Sequence, residues 1–204
     1  MRRGAFGIAL RHPSTIAAAF SAFSHQIAQV VPAVIYGPEH IHTSLAGTPF
    51  EEPFLYSGES AEHKHTLARL VSATERALVY LGHKSCNIHY DTYLYTPQAV
   101  LARGNPDKNF CDLLALLEMT CGEEGLQTRL TWGSHVTVSR FAKVRAPHEL
   151  GGLLPLLEGS VGPGLSVATQ VSVGYSLWGP SPECPKVDPS TVNGHFVAHR
   201  TFDL

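Results

Sequence analysis

Two copies of one short pattern, a histidine followed two residues later by a hydroxyl residue, stand on strand-like segments 93 residues apart: His42-Thr43-Ser44-Leu45 and His135-Val136-Thr137-Val138. On an extended strand successive side chains point to opposite faces, so His42 shares a face with Ser44, and His135 with Thr137. A chain that carries one such strand in each half is expected to fold as two comparable halves facing one shared site. A register beginning at His40 is open for the first copy, with His42 then at the hydroxyl position.

The triplet by itself carries little weight. With 12 histidines among 204 residues, independent placement gives roughly two matches by chance, and the chain has five. Three have local explanations or poor context. His12-Pro13-Ser14 opens a helix, with Ser14 expected as its N-cap. His83-Lys84-Ser85 follows Gly82 at an expected helix C-terminus. His199-Arg200-Thr201 lies on a last strand without a partner of similar context, and is a reserve candidate.

Apolar residues at 44% and charged residues at 16% describe an ordinary globular chain. Its net charge of −2 and pI near 6.6 supply no basic field for gripping a long nucleic-acid backbone. A small nucleotide or an RNA end fits better. Cys86, Cys111, Cys121 and Cys184 show neither C-x-x-C nor zinc spacing, which suggests free thiols in a reducing, cytoplasmic setting. No apolar run is long enough to span a membrane, so a soluble protein without membrane contact is expected. The acid-poor start has the composition of a transit peptide, but residues 6–10 and 14–31 read as a strand and a helix that the fold uses.

Leu67, Leu70, Val71, Thr74, Leu78 and Leu81 recur at intervals of three and four, which predicts a helix over 61–81. Phe110, Leu113, Leu114 and Leu117 predict another after Asn109. Strands are expected at 6–10, 33–36, the first triplet segment, 88–101 as a strand pair or bulged strand interrupted at Pro97, 130–141 around the second triplet, 167–177 and 196–202, with a polar turn at 103–109. Residues 48–60 read as an aromatic loop beside the first triplet, able to act as a lid, and 179–194 as a proline-rich loop. The expected fold class is α+β: two similar α/β lobes with antiparallel sheets facing across a central cleft, residues 1–204 forming a single bilobal domain and a monomer.

With these residues in place, the chain resembles the two-histidine phosphoesterases, which include 2′-5′ RNA ligase-like proteins and cyclic phosphodiesterases. The family pattern is His-φ-Ser/Thr-φ, twice, with φ apolar. His135-Val136-Thr137-Val138 fits fully, and Arg140 stands where members often carry a basic residue. His42-Thr43-Ser44-Leu45 departs at Thr43, which occupies an apolar position. The resemblance implies that His42 and His135 are the acid–base pair, that Ser44 and Thr137 hold the phosphate, and that neither cofactor nor metal takes part. Opening a 2′,3′-cyclic phosphate needs one group to take a proton from water and another to protonate the departing ribose oxygen, which two histidines can do around neutral pH with a bell-shaped profile.

Two other functions use different residues. His40, His42, His63 and His65 could ligate a metal for hydrolysis. A non-catalytic nucleotide- or RNA-binding protein of the same fold could use Tyr90, Tyr93, Tyr95 and Trp132 as stacking surfaces.

Overall fold

Residues 3–51, 60–178 and 195–204 are described by a computed structural model of the chain. Most of the aromatic loop and all of the proline-rich segment 179–194 lie outside them. Strand β1 (Arg3–Arg11) alternates the buried Phe6, Ile8 and Leu10 with the small Ala5, Gly7 and Ala9. Helix α1 (Ser14–Val30) follows without a side-chain cap: Pro13 holds the N-cap position at φ −52°, and Ser14, expected as the cap, is the first helical residue. Next come β2 (Ala33–Ile35), a 3-10 turn at Pro38–His40 and β3 (His42–Gly47).

Helix α2 (Ala61–Leu81) is capped by Ser60, whose hydroxyl accepts from the His63 N–H, and ends at Gly82 with φ 69°. It buries Leu67, Leu70, Thr74, Leu78 and Leu81, as the spacing predicts. Strands β4 (Cys86–Tyr95) and β5 (Ala99–Pro106) pair antiparallel. β5 runs through the residues expected as a polar turn, because Arg103 and Asn105 face solvent while their backbones stay in the ladder. Asp107 caps α3 (Lys108–Glu123), accepting from the Phe110 N–H at 2.9 Å.

Two strands, β6 (Arg129–Leu130) and β7 (His135–Phe141), replace the single strand expected over 130–141. Beyond them lie a 3-10 turn at Pro147–Leu150, the short α4 (Leu154–Glu158), and strands β8 (Gly164–Ala168), β9 (Gln170–Trp178) and β10 (His195–Asp203).

The described strands all join one antiparallel sheet, its main path running β10-β9-β1-β3-β7-β5-β4-β8. The two motif strands β3 and β7 are adjacent at its centre, with three strands outward of each. Each half lends a short strand to the other, β2 pairing with β7 and β6 with β3. The lobes are thus two halves of a curled sheet, exchanging strands where they meet. Helices α2 and α3 pack on each other and on the sheet, and one cluster of buried apolar residues runs through both halves.

Candidate active site

A single ladder pair, Thr43 opposite Val136, joins the motif strands. Antiparallel register about that pair sets His42 across from Thr137 and Ser44 across from His135. The outer strands continue the rows. Arg11 on β1 is opposite His42 and Ala9 opposite Ser44; Arg103 on β5 is opposite His135 and Leu101 opposite Thr137. One row therefore reads Arg11-His42-Thr137-Leu101 and the next Ala9-Ser44-His135-Arg103. A pseudo-twofold through the Thr43/Val136 pair exchanges the histidines, the hydroxyls and the arginines. The histidines stand on a diagonal, a separation of about 7–8 Å in an antiparallel ladder, with the two hydroxyls on the other diagonal.

The last residue of each motif is the extra residue of a β-bulge. Ile8 and Ala9 pair with Ala46 and Ser44, skipping Leu45; Val100 and Leu101 pair with Ser139 and Thr137, skipping Val138. Such an insertion reverses the alternation beyond it. Ser139 therefore turns inward, fully buried and donating to the Val34 carbonyl at 2.7 Å, while Arg140 turns onto the face of His135 and Thr137. The equivalent position in β3 is Gly47, so at this position the first half has no counterpart to Arg140.

A cavity of about 70 Å³ is lined by His42, Ser44, Thr137 and Arg140, together with Tyr36, His40 and Ser176. His135 does not line it; the register places it across from Ser44, with its ring stacked on Trp132 at 4.9 Å and 23°. His42 packs against Phe196 at 5.1 Å, so each histidine has one aromatic neighbour. The His42 Nδ1–H donates to the His40 carbonyl at 2.7 Å, which fixes the ring's orientation and, in the neutral ring, leaves Nε2 as the acceptor nitrogen. Burial, opposed by that hydrogen bond and aided by Arg11, His40 and Arg140, lowers the His42 pKa to about 4. Burial also lowers that of His135, with Arg140 acting the same way. The Gly133 carbonyl favours the charged form of His135, although its buried Nδ1 meets no acceptor at hydrogen-bond geometry.

Beside the small cavity lies a larger one of about 210 Å³, which shares Ser44 and Ser176 with it and extends over Ala5, Gly47 and Phe196 to Arg129. Ser176 and Tyr36 escaped the sequence reading. The only signal for Ser176 was the run of small residues Ser172, Gly174 and Ser176 on alternate positions of β9. Tyr90 and Tyr93 are core residues, 0% and 8% exposed, which removes them as stacking surfaces; Trp132 is 81% exposed. His199 stands at a bulge in β10, and its motif partner Thr201 is bonded to Ser172 at 2.9 Å. His63 and His65 belong to α2, where His63 packs edge-on against Phe6 at 5.2 Å and meets Glu51 at 3.4 Å. Among the described residues no three His, Cys, Asp or Glu side chains converge to hold a metal ion, so the four histidines considered as ligands do not form one set.

No family model matches the sequence, and no curated protein does. Solved structures do match in fold. Escherichia coli LigT complexed with 3′-AMP aligns with a TM-score of 0.56 at 12% identity, covering 100% of this chain and 99% of that one. A protein described as a phosphoesterase gives 0.57 at 13% identity, with coverage of 100% and 99%. A Thermus thermophilus protein gives 0.55 at 15% identity, with coverage of 100% and 98%. The chain therefore shares the fold of LigT and of that phosphoesterase.

Proposed function

We propose that this protein is a metal-independent phosphodiesterase of the two-histidine type, opening 2′,3′-cyclic phosphates or related 2′-linked esters of a nucleotide or RNA end. The observation that carries the proposal is the pseudo-twofold quartet of His42, Thr137, Ser44 and His135, with Arg140 turned onto the same face by a bulge. A phosphoryl group above the quartet has an imidazole on either side, so one can take a proton from attacking water while the other protonates the leaving ribose oxygen. The Ser44 and Thr137 hydroxyls donate to the non-bridging oxygens, and Arg140 offsets their charge. One of the two P–O bonds to ribose breaks, its ribose oxygen leaving as a hydroxyl with the proton from the acid, and the water oxygen forms the new P–O bond of a phosphomonoester.

Nucleotide ligands fit the surroundings. LigT has been crystallised with 3′-AMP, ATP and NADP+, and here an apolar cavity and an exposed Trp132 flank the cationic centre. The test is turnover of the four nucleoside 2′,3′-cyclic phosphates in EDTA by wild type, His42→Ala and His135→Ala. Wild type is expected to be active, with each variant reduced about 10²- to 10⁴-fold, the usual contribution of a positioned acid or base. An inert wild type would falsify the activity; full rate in either variant would remove that histidine from the pair. A non-catalytic binder instead holds the cyclic nucleotide unchanged.

A further inference from the structure

Thr43 is polar where the motif is apolar, and it faces away from the cleft at the single ladder pair joining the two halves. Its counterpart Val136 is buried and apolar; Thr43 is equally buried, at 0% exposure, and fully engaged. Its Oγ1 lies 2.7 Å from the Tyr90 hydroxyl and 3.1 Å from His12 Nε2, while His12 Nδ1 lies 2.8 Å from Ser166 Oγ. Tyr90 and Ser166 are also fully buried. The His12 ring packs edge-on against Tyr90 at 5.5 Å, and Phe20 closes against the same tyrosine at 5.2 Å.

The chain of contacts crosses the molecule. His12 follows β1 and Thr43 lies on β3, in one half; Tyr90 on β4 and Ser166 on β8 belong to the other. Burial holds the His12 pKa at about 3, so its ring is neutral and offers one donor nitrogen and one acceptor, as a hydrogen-bonded series requires. Only one ladder pair ties β3 to β7 directly, the exchanged β2 and β6 pairing further along the same two strands, so the backbone holds the motif segments themselves against each other at a single point. A directional polar link in a buried setting adds a second, because a shift of β3 would leave several buried groups unpaired at once.

We propose that the Ser166–His12–Thr43–Tyr90 series is a positioning device that locks the two halves from behind, setting His42 and Ser44 against His135 and Thr137. It acts through the strand and touches no substrate. The proposal rests on His42 and His135 being the acid–base pair.

The experiment compares Thr43→Val, Thr43→Ser and the all-apolar combination His12→Leu, Thr43→Val, Tyr90→Phe and Ser166→Ala. Thr43→Val strands the partners of Thr43, so thermal stability and kcat are both expected to fall, kcat at least tenfold with KM within twofold. Thr43→Ser should rescue both. The combination removes every buried polar group of the series and should regain stability while kcat stays low. Recovery of kcat together with stability overturns the proposal, since a merely structural series would behave that way. Should the combination not fold, Thr43→Val and Tyr90→Phe decide instead, and unchanged kcat at lowered stability overturns the proposal. A second readout needs no turnover: NMR titration of the His42 and His135 rings in Thr43→Val. Shifted ring titrations are expected, and unchanged ones overturn the positioning role. If the wild type is inert towards cyclic phosphates while Thr43→Val still shows those shifts, the phosphodiesterase assignment falls and the positioning stands.

Discussion

Each imidazole of the proposed pair meets a different balance of burial and charge, and the pH dependence follows. Both pKa values lie below the ordinary 6.5, His42 at about 4, so at neutral pH the free protein holds both rings neutral. Catalysis needs one protonated ring. The bell-shaped kcat/KM profile is therefore expected to peak on the acid side of 6.5, rather than at the neutral pH suggested by unperturbed histidines; rates from about pH 4 to 8 would show it. Arg140 lowers both values. Replacing it with methionine should move both limbs of the profile to higher pH while kcat/KM falls about 10- to 100-fold, the worth of a charge-assisted contact. An unmoved profile would separate Arg140 from the histidines. Trp132 is the other residue open to test. It is stacked on His135 yet 81% exposed, and Trp132→Ala should weaken binding of a nucleotide by about 1–3 kcal/mol if a base stacks there, as titration of a cyclic nucleotide would measure.

At the scale of elements, the helices were legible because each buries a stripe that the sequence spells at intervals of three and four. Leu67, Leu70, Thr74, Leu78 and Leu81 on α2 are the example. Strand ends were less legible. Residues 103–106 look like a turn in composition but remain in the β4–β5 ladder, and Gly104 shows why the local sequence misleads: a Cβ there would meet Ile88 at 2.5 Å and Tyr90 and Ser134 at 2.8 Å, so the glycine serves close packing within a strand. Gly104→Ala is expected to cost about 1–3 kcal/mol as overpacking, visible as a lower urea midpoint. Asp107→Ala should cost about 0.5–2 kcal/mol through loss of the α3 cap, and a stability change near zero would show that β5 alone starts the helix. The paired bulges were beyond the sequence, since neither Leu45 nor Val138 differs in type from an ordinary strand residue. Without them Arg140 reads as pointing away from His135.

For the whole molecule, the halves meet along a narrow junction made of one β3–β7 ladder pair, the exchanged β2 and β6, and the buried series behind Thr43. His12 and His42 both sit there with depressed pKa values, about 3 and about 4. Unfolded chains take up protons near pH 6.5, whereas the folded rings refuse them until far lower. Stability is therefore fully present above about pH 6.5 and declines as pH falls towards 4. Urea midpoints at successive pH values would show the decline, and His12→Leu in the all-apolar combination should flatten it. What the sequence determined by itself is periodicity: which residues share a strand face, which helix stripes are buried, and that His42–Ser44 and His135–Thr137 are matched pairs. Those properties are set by bonds along the chain. Which strands become neighbours, that His42 faces Thr137 and Ser44 faces His135, that a bulge delivers Arg140, and that Thr43 finds His12 and Tyr90 were decided only by the tertiary structure. Each depends on register between segments tens of residues apart, and register is fixed by pairing and burial acting together across the sheet.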